Sequence, residues 1–171
     1  FGSSMVFYMD EFKFTEGPEI EVPEVPEVPE GVEADAYEQL MFYTAGFSSV
    51  TASYDMENVY AGAAGNTSIK YVSTPAGQHD FMTIKSDAID MTDGSISDWN
   101  GATVSFWARN TSATVMHISL WANGEQMGGG NNWAELPLDG NWIKVSFTVD
   151  KATVSKLVLR CSVNAGYTFW I

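Results

Sequence analysis

From about residue 100 onward the chain alternates apolar and polar positions with a period of two. Val104, Phe106 and Ala108 alternate with Ser105, Trp107 and Arg109; Met116, Ile118 and Leu120 with His117, Ser119 and Trp121. Ile143, Val145, Phe147 and Val149 alternate with Lys144, Ser146, Thr148 and Asp150, and Leu157, Leu159, Cys161 and Val163 with Val158, Arg160 and Ser162. Successive side chains of a strand point to opposite faces, so each run reads as a strand buried on one side. Turn residues lie between the runs: Asn123-Gly124, Gly128-Gly129-Gly130-Asn131-Asn132, Asp139-Gly140-Asn141 and Asn164-Ala165-Gly166. No segment carries a helical stripe. The pattern predicts an all-β sandwich or barrel.

The front of the chain is patterned differently. Residues 18–31 read Pro-Glu-Ile-Glu-Val-Pro-Glu-Val-Pro-Glu-Val-Pro-Glu-Gly, a three-residue Pro-Glu-Val repeat. Regular proline favours polyproline II, and like charges extend it, so residues 18–30 reach roughly 40 Å at about 3.1 Å per residue. Such a stretch is either a semi-rigid spacer between modules or a disordered one. The formal charge of −14 is concentrated here: residues 16–38 carry −9, residues 1–15 carry −1 and residues 39–171 carry −4. The globular part is thus only mildly acidic, with no basic stripe to neutralise phosphates, which disfavours nucleic acid and anionic membranes as partners. No apolar run approaches the ~18 residues of a membrane span, so no membrane insertion is expected. The single cysteine, Cys161, falls at an apolar strand position and reads as a small buried hydrophobe. The expected organisation is a strand in residues 1–15, an acidic Pro-rich linker in 16–36, and a β-sandwich module in 37–171.

The chain also echoes itself. Phe7-Tyr8-Met9 matches Phe169-Trp170-Ile171 position by position at an offset of 162 residues. Repetition at a fixed spacing marks an array; two unrelated aromatic strands are the other reading. On the array reading, residues 1–15 are the last strand of a preceding module, and the module in 37–171 stops short within its own last strand.

Three blocks resemble the carbohydrate-binding modules of the β-jelly-roll, galactose-binding-like group found in bacterial polysaccharide-degrading and surface proteins. They are Asn66-Thr67-Ser68-Ile69-Lys70-Tyr71-Val72, then Ala102-Thr103-Val104-Ser105-Phe106-Trp107-Ala108-Arg109, then Gly140-Asn141-Trp142-Ile143-Lys144-Val145-Ser146-Phe147-Thr148-Val149 with the closing Tyr167-Thr168-Phe169-Trp170-Ile171. The resemblance covers about residues 40–171. It implies a jelly-roll β-sandwich, a polysaccharide or glycan partner, and an extracellular or cell-surface setting. The Gly-Trp opening usual in the group is not evident in Leu40-Met41-Phe42-Tyr43-Thr44-Ala45-Gly46-Phe47. The group's last strand usually continues into Asp-Asp or Asp-Glu, which Asp10-Glu11 supplies at the other end of this chain. Members often hold a structural calcium near the first and last strands. That resemblance implies Asp10 and Glu38 as metal ligands. Asp87, Asp90, Asp93 and Asp98 form either a further oxygen-rich site or a solvated acidic loop.

Sugar recognition needs an aromatic plate for the apolar face of a pyranose beside amides, acids or guanidinium for its hydroxyls. Trp107 and Arg109 on one strand and His117 and Trp121 on the next stand at the polar positions, and the connection between the strands is short. The expectation is that the two strands pair and these four residues share a face. That face is either a contact site or is covered by residues 44–65 or the linker. Asn131, Asn132 and Trp133 form a second candidate, an aromatic beside paired amides in a loop, or else a turn whose Trp133 packs down. Trp142 reads as packing and Trp99 as a loop anchor. No nucleophile elbow, phosphate loop or metal-ligand pair is present, and the chain is not expected to be an enzyme. The sequons at Asn66 and Asn110 are of a kind that chance produces often. Two functions follow: a non-catalytic carbohydrate-binding module of a secreted multi-modular protein, or a structural tandem-repeat module of a surface stalk, adhesin or fibre joined by strand complementation to neighbouring modules.

Overall fold

The computed structural model describes residues 50–63, 65–73, 77–87, 90–92, 94–163 and 166–171. The expected N-terminal strand, the Pro-Glu linker and residues Asp10 and Glu38 lie outside the described residues.

Among the described residues ten strands follow one another: β1 (Val50–Asp55), β2 (Ser68–Ser73), β3 (Gly77–Lys85), β4 (Thr103–Asn110), β5 (Met116–Ala122), β6 (Glu125–Gln126), β7 (Ala134–Leu136), β8 (Ile143–Thr148), β9 (Leu157–Val163) and β10 (Tyr167–Trp170). They make two antiparallel sheets. The first has the order β1-β2-β10-β4-β8; the second has the order β3-β9-β5-β6, with β7 also on β5. Apart from the β5-β6-β7 run, each connection from β2 onward passes from one sheet to the other. This is the winding of a jelly roll, the fold expected from the sequence.

The alternation sorts as the pattern requires. Met116, Ile118, Leu120 and Ala122 of β5 and Leu157, Leu159 and Cys161 of β9 are fully buried, as are Ile69, Tyr71 and Phe169 from the facing sheet. Tyr71 and Phe169 stack at 4.9 Å, and Phe81 of the second sheet meets them edge-on at 5.2 and 4.9 Å. A register shift between Asp80 and Met82 turns Phe81 and Met82 both into the core. Trp99 anchors its loop with a buried side chain, and its backbone N–H donates to the Ala152 carbonyl. The Asn123-Gly124 turn has φ of 52° and 84°, the left-handed pair that a two-residue hairpin needs.

The β4–β5 connection decides how the surface is divided. Asn110 is fully buried at the end of β4. Its Nδ2 donates to the carbonyls of Thr114 (3.1 Å) and Leu136 (3.3 Å), and its Oδ1 accepts from Ser112 N (2.8 Å). Ser112 in turn donates its hydroxyl to Thr168 O and accepts from Thr168 N. These bonds carry the chain across the edge of the sandwich. The short connection therefore joins strands of different sheets, and β4 and β5 do not pair. Asn110, one of the two sequon asparagines, is a corner residue rather than a surface one.

Candidate functional site

The outer face of the second sheet is built by four lanes. β5 contributes His117, Ser119 and Trp121. Its ladder with β9 sets these opposite Ser162, Arg160 and Val158. The β9–β3 ladder sets Ser162 opposite Gln78 and Arg160 opposite Asp80. On the other side of β5, β7 and β6 occupy one edge in succession: Glu135 stands opposite His117 and Gln126 opposite Trp121. The loop between them ends at Trp133, one position beyond the last β7 pair, Ile118 with Ala134. Strand alternation puts all of these side chains on one surface.

Bonds between neighbours hold this surface. The Arg160 guanidinium lies over the Trp121 ring at 4.1 Å from its centroid and donates from Nε to Asp80 Oδ1 at 2.6 Å. Trp121 Nε1 donates to Ser119 Oγ at 2.8 Å, and Ser119 is 0% exposed, so it forms the floor of the surface. His117 meets Trp133 edge-on at 6.3 Å and stands 3.6 Å from the Glu135 carboxylate. Trp121 thus carries a cation on one ring face and is half-buried. Trp133 is held by its own indole N–H, donated to Gly130 O at 3.2 Å.

The neighbouring loop is mostly bonded to itself. Asn132 donates its amide to Met127 O at 3.0 Å, and Gln126 donates to Asn132 O. A Cβ on Gly128, at φ 72°, would come within 2.2 Å of that Asn132 amide. Asn132 is therefore the peg that shapes the loop, while Asn131 is exposed beside Trp133.

The outer face of the first sheet has a different organisation. Tyr60 stacks on Trp107 at 4.1 Å with the rings 16° apart, and meets Trp142 edge-on at 6.0 Å. Asn58 accepts from Arg109 Nη1 at 2.8 Å and donates to Asp55 Oδ2 at 3.0 Å. Trp170, 5% exposed, donates its indole N–H to Asp55 at 2.7 Å beneath Lys70 and Arg109, which lie 5.6 and 5.7 Å from its ring. Burial opposes ionisation of Asp55, but the hydrogen bonds from Trp170, Asn58 and Glu57 outweigh it and hold the carboxyl at about 2. Residues 55–60 form a strap fastened across this face.

The expectation that Trp107, Arg109, His117 and Trp121 share one face is corrected. Trp107 and Arg109 lie on one outer surface and His117 and Trp121 on the other, with the core between them, because the Asn110 corner sends the chain into the opposite sheet. The covering expected of residues 44–65 falls on Trp107 through Tyr60. Trp133 stands with His117 and Trp121. The sequence reading passed over Arg160, Asp80 and Glu135. Arg160 occupies a polar position of a clear period-two run, so its outward direction was legible; its alignment with Trp121 depends on ladder register. His79 and Asp80, adjacent in sequence, face opposite ways. His79 turns inward toward Tyr167, their rings 6.5 Å apart, and Asp80 turns outward to Arg160. Cys161 is buried as expected, and burial pushes its thiol up to about 11, far from a nucleophile's range.

No group of three or more potential metal ligands occurs among the described residues. Asp90 is committed to the Lys85 ammonium and to the hydroxyl and N–H of Thr92. Asp98 bonds the N–H of Asn100. The calcium expectation rests on Asp10 and Glu38, which lie outside the described residues. No described helix is long and apolar enough to cross a membrane.

Solved structures similar to this chain include the following two. One is the CBM22-1 xylan-binding domain of Xyn10C from Paenibacillus barcinonensis, with 13% identity and a TM-score of 0.48 over 74% of this chain and 81% of that one. The other is TmCBM61 in complex with β-1,4-galactotriose, with 16% identity and a TM-score of 0.35 over 75% of this chain and 88% of that one. Both are carbohydrate-binding modules with the β-jelly-roll fold. No protein-family model and no curated protein matches the chain.

Proposed function

We propose that this jelly roll is a non-catalytic carbohydrate-binding module whose glycan lies across the outer face of the second sheet. The observation that supports this reading is the convergence of Trp121 and Trp133 with His117, Arg160, Asp80 and Glu135 on one surface. Two indoles offer stacking area for pyranose rings, and the polar side chains around them offer both donors and acceptors to ring hydroxyls. Trp121 is held in place by Arg160 and Ser119, so little rotamer entropy is lost when a sugar settles on it. Asn131 extends the surface at the loop. Trp107, Arg109 and Asn132 are left out of this proposed site, because Trp107 is stacked on Tyr60, Arg109 is bonded to Asn58 and Asn132 donates its amide within its own loop.

The test is a screen of plant, algal, host and microbial polysaccharides with the full chain, followed by titration calorimetry on any ligand found. Trp121→Ala and Trp133→Ala are expected to weaken binding by tenfold or more, and Trp107→Ala to leave it within twofold. Loss of binding in Trp107→Ala alone would move the site to the first sheet. Silence across the panel from a folded protein would defeat the reading. Repeating the titration in chelator tests the calcium expectation attached to Asp10 and Glu38.

A further inference from the structure

The loop between β6 and β7, residues 127–133, is organised by one side chain. It leaves the sheet at Gln126, opposite Trp121, and returns at Ala134, opposite Ile118. At its start Met127 is 1% exposed and donates its N–H to Leu120 O at 2.9 Å, so the backbone there is fixed to the core. Asn132 then ties the loop together. Its Nδ2 donates to Met127 O at 3.0 Å, its backbone N–H donates to Gly129 O at 3.1 Å, and its carbonyl accepts from Gln126 Nε2 at 3.0 Å. The turn from Gly129 to Asn132 places Gly130, whose carbonyl accepts the Trp133 indole N–H at 3.2 Å. A continuous path therefore runs from the core to the indole through Met127 O, the Asn132 amide, the turn and Gly130 O.

Two glycines of the loop show how closely that path is fitted. A Cβ on Gly128 would stand 2.2 Å from Asn132 Nδ2 and 2.8 Å from its Cγ, and φ there is 72°. Residue 128 therefore has to be glycine for the amide to reach Met127 O. The Gly128 N–H also donates to Asp150 Oδ2 at 3.1 Å, which fastens the start of the loop to the segment after β8. Gly130 has no such constraint. Nothing lies within 4 Å of a Cβ built on it, and its φ is not positive.

We infer that Asn132 is a positioning residue of the glycan face: it sets where the Trp133 indole stands and touches no sugar itself. Gly128 is the space its amide needs. The inference rests on the reading that Trp133 belongs to that face. Asn131 and Asn132, adjacent in sequence, then divide the work, one exposed beside the indole and the other supporting it from behind. A contact ring held in place before its ligand arrives loses little rotamer freedom on binding, and a contact residue is only as well placed as the groups that support it. Trp121 obtains that support from Arg160 and Ser119 of the sheet. Trp133 lies outside the strands and obtains it from Gly130 O, from the edge of His117, and from Asn132 through the turn.

Asn132→Asp tests this, because it keeps the shape and replaces the donor with an acceptor facing Met127 O. The first readout needs no ligand. It is the exchange with water of the indole N–H groups of the full chain, followed by nitrogen-15 NMR, with the Trp133 signal assigned from Trp133→Phe. In Asn132→Asp the Trp133 indole should exchange at least about fivefold faster, with the Trp121 indole unchanged. Gly128→Ala should do the same, and Gly130→Ala should not. An unchanged Trp133 indole in Asn132→Asp overturns the inference. So does an equal effect of Gly130→Ala, which would assign the result to loop stiffness. The second readout is titration with soluble β-1,4-xylan and β-1,4-galactan in a double-mutant cycle. Asn132→Asp should weaken binding about threefold or more alone and change it by less than about 1.5-fold in a Trp133→Ala background. Equal losses in both backgrounds would make Asn132 a direct contact and overturn its positioning role. Weakening by Trp133→Ala without weakening by Asn132→Asp would overturn the inference and leave the glycan face standing. Binding untouched by Trp133→Ala would remove Trp133 from that face and overturn both.

Discussion

The two outer faces of this sandwich start from the same sequence device and end differently. Each has a strand that carries a tryptophan at a polar position of a period-two run: Trp107 in β4 and Trp121 in β5. On the first face the indole lies against Tyr60, and the strap of residues 55–60 is pinned by Asp55, Asn58 and Arg109. On the second face the indole is braced from the side by Arg160 and Ser119, and His117, 42% exposed at its side chain, stands beside it with Trp133. An outward aromatic therefore has two fates: it is stacked on a ring of its own chain's strap, or it is braced by a cation and a hydroxyl of neighbouring strands. What separates them is which neighbours the ladder supplies, since both strands have the same alternation.

The largest effect expected is on ligand binding. Trp121→Ala removes the braced indole and should cost at least about 2 kcal/mol of binding, some thirtyfold in affinity by calorimetry, with melting temperature little changed. Trp107→Ala should show the reverse, with destabilisation and unchanged binding. If both variants lose binding equally, the two-face distinction fails.

Next is the corner. Asn110→Ala deletes the donor to Thr114 O and Leu136 O and the acceptor for Ser112 N at a fully buried site. Unsatisfied buried polar groups of this kind cost about 2–3 kcal/mol, so the melting temperature should fall by roughly 10 °C. A change under about 2 °C would show that the corner does not depend on this side chain.

A smaller effect is expected at the strap. Tyr60→Ala unstacks Trp107 and should cost about 1–2 kcal/mol, with a red shift of tryptophan emission and no change in glycan affinity. An unshifted spectrum would mean that Trp107 is already wet in solution.

The smallest effect is acid sensitivity confined to the first face. Asp55 is held at about 2, below its unfolded value near 4. A carboxyl lowered by folding stabilises the protein above the unfolded value and loses that contribution as pH falls from about 4 to about 2. Allowing for solvent screening, this contributes about 1 kcal/mol. Denaturant midpoints at pH 5 and pH 2.5 should converge between the wild type and Asp55→Asn; a constant difference across that range would assign Asp55 no linked role.

Much of this molecule was legible in its pattern. The alternating runs located β4, β5, β8 and β9 and assigned Met116, Ile118, Leu120, Val145, Phe147, Leu157, Leu159 and Cys161 to the core, because strand geometry links a period of two to one buried face. Asn123-Gly124 marked a turn, which the structure makes a two-residue hairpin. Trp133 was singled out beside two amides, yet Asn132 spends its amide on Met127 O, a choice made by loop conformation.

Alternation states that a residue points outward; it does not state from which sheet. That was decided by the buried Asn110, whose three bonds turn a five-residue connection across the edge of the sandwich instead of into a hairpin. The same limit hid Arg160 and Asp80: their directions follow from their own strands, but their meeting with Trp121 depends on the β3-β9-β5 ladder, which joins positions 80 apart in the chain. The sequence by itself determined the all-β sandwich or barrel class, the core and the list of outward aromatics, since these are properties of each strand alone. Which aromatics share a surface, and which one the chain covers, only the tertiary structure decided, because both depend on register between strands distant in sequence.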